Sequence, residues 1–276
     1  EEVIRLKEEE FTEIVEYMRQ NYGINLEKKR TLIECRMSKE LERQGADSFG
    51  RYMELLKRDR SGMTAANMVN RLTTNYTYFM REPAHFTILR ERILPDLLDN
   101  SSGGFLNVWC AGCSTGEECY TIAMILQDYK ERTGNLMNYR ILATDISNQV
   151  LEKARKGIYT EKETEGLPAE WRNKYFQATD AKTYCAADRL KQNIRFQNQN
   201  LLSPYTGTEQ FDLIFCRNVM IYFDKKAKET LVKKLEAGLK TGGYLVIGHA
   251  ELLNRGEIEL EPVFPAVYKK YREKQR

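Results

Sequence analysis

The stretch NVWCAGCSTGEECYTIAM, Asn107–Met124, decides how this 276-residue chain is read. It opens as an apolar strand, turns on Ala111-Gly112-Cys113-Ser114-Thr115-Gly116, and continues from Glu117 as a helix. Three of the six cysteines fall inside it, two of them as Cys110-x-x-Cys113. The stretch is therefore either a thiol or metal motif, or a glycine-bearing turn that lies against a ligand.

Zinc needs more ligands than this, and the chain offers no second C-x-x-C and no histidine pair in sequence. A thioredoxin-like pair should open the helix at once, whereas here Gly112 and Ser114-Thr115-Gly116 prolong the loop. The glycine reading fits better, because a strand, a tight loop and a helix bring backbone close to a nucleotide-like ligand. The spelling is not the full G-x-G-x-x-G, so a second signal is needed. Asp145, at the end of the next strand in LATDIS, supplies it, since a carboxylate there accepts hydrogen bonds from both hydroxyls of a ribose. Its alternative is an N-cap for the helix starting near Ser147. Ser114 and Glu117 also spell a capping box, which leaves Glu117 either a ligand group or a structural one. No lysine follows the glycines as in G-K-[ST], which disfavours a triphosphate. A carboxylate at Glu117 repels a pyrophosphate and suits a cationic amino-acid group. S-adenosylmethionine carries such a group and no phosphate.

Upstream, the pattern from Phe11 to about Met80 is helical. FTEIVEYMRQNYGI places Phe11, Ile14, Val15 and Met18 on one face, with Gly23 as the stop. A second helix runs from about Lys29 to Arg43 and stops at Gly45. Asp47 or Ser48 caps a third, FGRYMELLKRD, and a fourth spans roughly Met63 to Thr74. Downstream, strands alternate with helices. FLNVWCAG, YRILATDIS, NIRFQNQNL, FDLIFCRN and GGYLVIGHAE read as strands of a parallel sheet wound on both faces. PAVYKKYR is expected to pair antiparallel at the sheet edge. The long connection before Ile194 is expected to hold a small β-excursion around Tyr175 to Leu190. The fold class is thus a Rossmann-like α/β domain over 86–276 with an antiparallel β-subdomain at about 160–192. An all-α domain over 1–74 precedes it, joined by a linker, 75–85, that contributes to the cofactor site.

With 42% hydrophobic and 30% charged residues the chain reads as an ordinary soluble protein, and no apolar run is long enough to cross a bilayer. EEVIRLKEEEF lacks the apolar core of a signal peptide, so a cytoplasmic location with reduced thiols is expected. Asn75-Tyr76-Thr77 then spells a glycosylation triplet by coincidence or serves another role. A net charge of +3 is too small to argue for nucleic acid.

Five motifs in order, LTTNYTYFMREPAHF, VWCAGCSTGEECYTIAM, LATDIS, FQNQNLL and FDLIFCRNVMIYFD, resemble the CheR chemotaxis receptor methyltransferases. The resemblance spans nearly the whole chain. It implies methyl transfer from S-adenosylmethionine to glutamates of chemoreceptors, leaving S-adenosylhomocysteine. It places cofactor contacts on Asn75, Thr77, Arg81, Gly112, Glu117, Asp145, Asn200, Leu201, Arg217 and Asn218, and a tyrosine near the methyl group on Tyr222. Glu117 matches the acid for the methionine amino group and Asp145 the ribose acid. Cys110 and Cys113 fall where the family tolerates small residues, which makes them bystanders.

A glutamate is already ionised near pH 7, so no general base and no metal is required. Arg81 is the candidate to orient the acceptor carboxylate, its alternative being a salt bridge to Glu82 or a helix end. Tyr222 either faces the substrate or packs as a core aromatic. Lys29, Arg36, Lys39 and Arg43 share a face of the second helix and are expected to steer the acidic helical bundle of a receptor, or else form a solvated surface. The membrane is then reached only through receptors, and the chain is expected to be monomeric. QATDAKTYCAADRLKQN contains no glycine for the turns of a strand-adding peptide site, which favours a member that needs no receptor tether. A nucleic-acid methyltransferase would show an Asn/Asp-Pro-Pro-aromatic run where Arg217-Asn218-Val219-Met220 stands. A cofactor sensor or scaffold without activity should have lost some of Asn75, Arg81, Glu117, Asp145 and Tyr222.

Overall fold

The computed structural model describes residues 4–99, 105–135, 137–180, 182–204, 210–253 and 258–271. Four helices open the chain: α1 (Glu8–Tyr22), α2 (Arg30–Arg43), α3 (Phe49–Arg58) and α4 (Met63–Leu72). Each buries one stripe. Ile14 and Met18, Ile33 and Met37, Phe49 and Tyr52, and Met68 and Leu72 meet in one core. Local chemistry fixes the ends. Ser48 caps α3 by accepting from Arg51 N, and Glu10 accepts from Lys7 N and Gly50 N, which ties the start of α1 to the start of α3. Gly23 ends α1 at φ 67° with its N–H on Arg19 O, while Ile24 N reaches Met18 O. A Cβ on Gly23 would stand 2.3 Å from Leu202 Cδ1 and 2.7 Å from Ala227 Cβ, so only glycine lets the helix end press on the second domain.

After the linker come α5 (Pro83–Ile88), a π-helical turn (Leu89–Ile93) and α6 (Leu94–Asp99). The sheet follows: β1 (Phe105–Ala111), α7 (Glu117–Thr133), β2 (Asn138–Asp145) and α8 (Asn148–Lys156), then β6 (Ile194–Asn198), β7 (Phe211–Cys216), α12 (Lys225–Gly238) and β8 (Leu239–Ile247). Between α8 and β6 lies the excursion: β3 (Ile158–Thr160), α9 (Glu161–Thr164), α10 (Ala169–Tyr175), β4 (Phe176–Asp180), β5 (Thr183–Ala186) and α11 (Asp188–Lys191). Two last strands, β9 (Leu260–Phe264) and β10 (Val267–Lys270), close the fold.

The main sheet runs β6-β2-β1-β7-β8-β10-β9, parallel through β8 and antiparallel thereafter. The order reverses between β1 and β7, so their carboxyl ends flank the crevice where such sheets bind ligands. α7 is buried on nearly every side from Cys119 to Leu126, because the sheet covers one face and Phe79, Tyr159 and Phe176 of the linker and excursion cover the other.

Two expectations are corrected. β10 is antiparallel as read but is not the edge; β9 lies outside it. Pro262 disguised β9, since proline cannot donate within a ladder and survives only on edge strands. The excursion begins at Ile158, because three residues after the α8 stop at Gly157 are too few to show a strand period. Its sheet, β3-β5-β4, leaves β4 as an exposed edge broken by a register shift between Ala178 and Asp180, a feature that blunts strand addition.

Candidate active site

A cavity opens at the carboxyl ends of β1, β2, β6 and β7. Linker residues Asn75, Thr77 and Arg81 form one wall. Gly112, Cys113, Ser114 and Asp145 form the floor, Asn200 and Leu201 one end, and Arg217, Asn218, Val219 and Tyr222 the other wall. The helical domain contributes Tyr22, Asn25 and Lys29. The structure therefore brings together every cofactor residue expected from sequence except one.

The exception is Glu117, which does not line the cavity. Gly116, not Ser114, is the N-cap of α7, so no capping box forms and Glu117 becomes the first helical residue. Its carboxylate turns away from the cavity, is 3% exposed and accepts from Thr115 Oγ1 at 2.7 Å. Burial pushes its pKa up. One helical step of about 100° later, Glu118 faces the cavity. Glu118 Oε2 accepts from Arg217 Nε at 2.8 Å and Oε1 accepts from Cys110 Sγ at 2.9 Å. Only the doublet Glu117-Glu118 is visible in sequence; which member faces inward depends on the cap.

The loop after β1 is held by β2. Gly112 N and Cys113 N both donate to Thr144 O, at 2.8 and 2.9 Å. Gly112 has φ 84°, and a Cβ there would meet Val219 Cγ2 at 2.4 Å, so glycine lets the two cavity walls close. Asp145 accepts from Ser114 N at 2.8 Å and Ser147 N at 3.0 Å, and Ser147 itself caps α8. Asp145 is thus not the cap. Burial raises its pKa, opposed by the N–H groups it accepts from. Ser114 Oγ donates to Asn75 O at 3.1 Å and draws the linker over the floor.

Arg217, 5% exposed, ties three segments together. Nε pairs with Glu118, Nη2 donates to Arg81 O at 2.6 Å, and Nη1 lies 3.0 Å from His85 Nδ1. A guanidinium only donates, so His85 Nδ1 accepts and the ring proton sits on Nε2. Glu82, His85 and His249 offer ligand atoms within 4.8 Å of one another. That tautomer, with a guanidinium alongside, removes His85 as a metal ligand. Burial first, then Arg217 and His249, push the His85 pKa down to about 4. Arg81 makes no salt bridge with Glu82, whose carboxylate faces Asn218, His85 and Arg217. It donates to Tyr76 O at 2.8 Å and stands over the Tyr76 and Tyr78 rings. Of the five non-glycine residues with positive φ among the described residues, Ser114 and Asn218 line this cavity, and Met80 and Glu82 flank the lining residue Arg81 in sequence. Such strain persists where surrounding structure enforces it, typically at functional sites.

The three thiols between the end of β1 and the start of α7 are buried. Burial raises the pKa of Cys110, Cys113 and Cys119, which makes them inert rather than redox-active. Of the residues expected to dock substrate, Lys29 lines the cavity and Lys39 is exposed. Arg36 is taken up internally, donating to Thr73 O at 2.8 Å, and Arg43 pairs with the buried Glu40 at 2.7 Å.

Residues 75–268 match the family model described as CheR methyltransferase, SAM binding domain, and residues 9–73 match its all-alpha domain. The chain belongs to the CheR methyltransferase family. It is 40% identical to a chemotaxis protein methyltransferase of Borreliella burgdorferi over 97% of this chain and 96% of that protein. A Salmonella typhimurium protein of the same description is 36% identical over 90% of this chain and 85% of its own length. The CheR chain is therefore an S-adenosylmethionine-dependent methyltransferase. The cavity fits that cofactor, offering two carboxylates, Glu118 and Asp145, for cationic and hydroxyl groups beside apolar Ile146 and Leu201. No helix among the described residues is long and apolar enough to cross a membrane.

Two outcomes are expected. Glu118→Gln should weaken S-adenosylhomocysteine binding about tenfold or more, the usual worth of a charged hydrogen bond, and Glu117→Gln by much less; calorimetric titration of both variants decides the assignment, and the opposite order restores Glu117. His85 has a folded pKa below its unfolded value, so the unfolded chain takes up the proton first as pH falls. Stability is therefore lost between about pH 6.5 and about pH 4. Urea titrations across that window should show a shallower loss for His85→Gln than for wild type.

Proposed function

We propose that this chain esterifies glutamate side chains of chemoreceptors, with the cavity holding S-adenosylmethionine and an acceptor carboxylate entering beside Arg81 and Tyr222. The observation that carries this reading is the placement of Glu118 and Asp145 on the floor and of Arg81 and Tyr222 at the walls of one cavity. When bound, S-adenosylmethionine supplies a methyl group on a positively charged sulfur. Glu118 receives its ammonium and Asp145 its ribose hydroxyls, while Asn200 and Leu201 border the adenine. Asn75, Thr77 and Asn218 close around the same ligand.

Arg81 holds the acceptor. Its charge is not consumed by Glu82, which pairs instead with Arg217, and the Tyr76 and Tyr78 rings lie against its guanidinium. Held by one or two hydrogen bonds, the carboxylate keeps a lone pair for in-line attack; it needs placement about 3 Å from the methyl carbon and removal of water. The half-buried Tyr222 borders the entry and orients the acceptor. One oxygen–carbon bond forms and one carbon–sulfur bond breaks, so no proton moves and no base is needed.

Docking is shared by the two domains. Ile24 bridges Phe223, and Asn25 N donates to Tyr222 O at 2.9 Å, so the start of α2 lies against the start of α12 at the cavity. Lys28 and Lys29 on one side and Lys225 and Lys226 on the other are exposed, and neither helix has an acid in its first turn. Together they form a basic rim that suits an acidic receptor segment, and the exposed Lys39 lies further along α2.

Labelled methyl should pass from S-adenosylmethionine to a receptor cytoplasmic fragment and be released as methanol by mild base. Label that survives base, or that persists when the receptor's methylation glutamates become alanine, rules out a glutamate ester. Lys28→Glu, Lys225→Glu and Lys226→Glu together should raise KM for the receptor fragment several-fold and flatten its salt dependence, leaving S-adenosylhomocysteine affinity as it was. An unchanged KM would return these lysines to the solvated surface.

A further inference from the structure

The segment after β7, Arg217–Tyr222, forms one cavity wall and carries four of its lining residues. Its backbone is irregular. Asn218 sits at φ 58°, Val219 at φ −111°, and a single 3₁₀ turn covers Met220–Tyr222. Three consecutive N–H groups, those of Asn218, Val219 and Met220, therefore lack acceptors in a ladder or helix and must find them elsewhere.

All three turn to one side chain. Glu251, 3% exposed and placed just after β8, accepts from Val219 N at 3.0 Å and Met220 N at 2.8 Å through Oε1. Its Oε2 accepts from Asn218 N at 3.0 Å and from Gly248 N at 2.7 Å. Successive N–H groups that converge in this way make an anion-binding concavity, and here the chain fills it with its own carboxylate. Glu251 does not line the cavity. Contact is also close at Gly248, where a Cβ would stand 2.6 Å from Asn218 Nδ2 and 2.9 Å from Asn218 N. The left-handed Asn218 is thereby pinned from both sides, and its side chain is delivered to Glu82 across the cavity wall at 3.2 Å.

We propose that Glu251 is a positioning residue for methyl transfer: by collecting four backbone N–H groups it fixes the segment that presents Asn218 and Tyr222 to the reacting groups. This rests on the roles given to those two residues above. Shape alone does not suffice for the task. Glutamine has the volume of glutamate, but its amide nitrogen would face two of the four N–H donors, which leaves a donor against donors. Aspartate keeps the charge and both acceptor oxygens on a shorter stem.

The experiment uses Glu251→Gln and Glu251→Asp in the full chain, with methylation of a receptor fragment and the ¹⁵N–¹H spectrum as readouts. Amides bound to a carboxylate resonate downfield. Glu251→Gln should shift the Asn218, Val219, Met220 and Gly248 resonances upfield and lower kcat about tenfold or more, with KM for the receptor fragment within a few-fold. Glu251→Asp should recover part of kcat. A structural role alone would lower stability without this separation of kcat from KM. A kcat for Glu251→Gln within twofold of wild type, or amide resonances that stay in place, overturns the inference. Should the glutamine variant fail to fold, the aspartate variant is held to the same two criteria. Absence of transfer by the wild-type chain overturns the acceptor reading along with this one, whereas normal wild-type transfer with an unaffected variant overturns only this one.

Discussion

The Arg217 guanidinium is the point on which the active-site region depends. It leaves the end of β7 almost wholly buried and engages Glu118 on α7, His85 on α5 and the Arg81 carbonyl of the linker. A buried cation is tolerated only when paired and hydrogen-bonded, and each of these partners is itself placed by the arginine. Removing one member of such a buried set commonly costs about 3–5 kcal/mol, because the remaining charge stays buried without compensation. The junction thus ties the linker and Glu118 to the end of β7 at one point.

Backbone constraint supplies the rest. Ser114 on the floor and Asn218 on a wall are both left-handed; Asp145 holds the first by its N–H and Glu251 the second. In each case a carboxylate from the end of a neighbouring strand accepts from a loop that would otherwise leave N–H groups unpaired. The loops are therefore rigid because the sheet supplies their acceptors, and the sheet order determines which loops meet.

Much of this was legible in the sequence. The four amphipathic stripes, the glycine-bearing loop after β1 and the acid after β2 obey local rules of period, capping and turn chemistry. What escaped it depends on tertiary facts. The phase of Glu117 against Glu118 turns on whether Ser114 or Gly116 caps α7, and both are acceptable caps. β9 was hidden by Pro262, whose penalty vanishes only once the strand is known to be an edge. Arg36 and Arg43 sit on the expected face of α2, but spacing cannot reveal that Thr73 O and Glu40 lie within reach. His85 meets Arg217 across more than a hundred residues, a pairing with no local signature.

Gly23 and the bridge from Ile24 to Phe223 seat the helical domain directly against the methyltransferase domain, and Tyr22, Asn25 and Lys29 help to enclose the cavity. The helical domain is consequently not an interchangeable adaptor. Any sequence drift at Tyr22, Asn25 or Lys29 alters the wall of the cavity as well as the surface of the helical domain, so the two domains evolve as one unit. A chimera that exchanges the first domain between relatives exchanges part of the cavity wall with it.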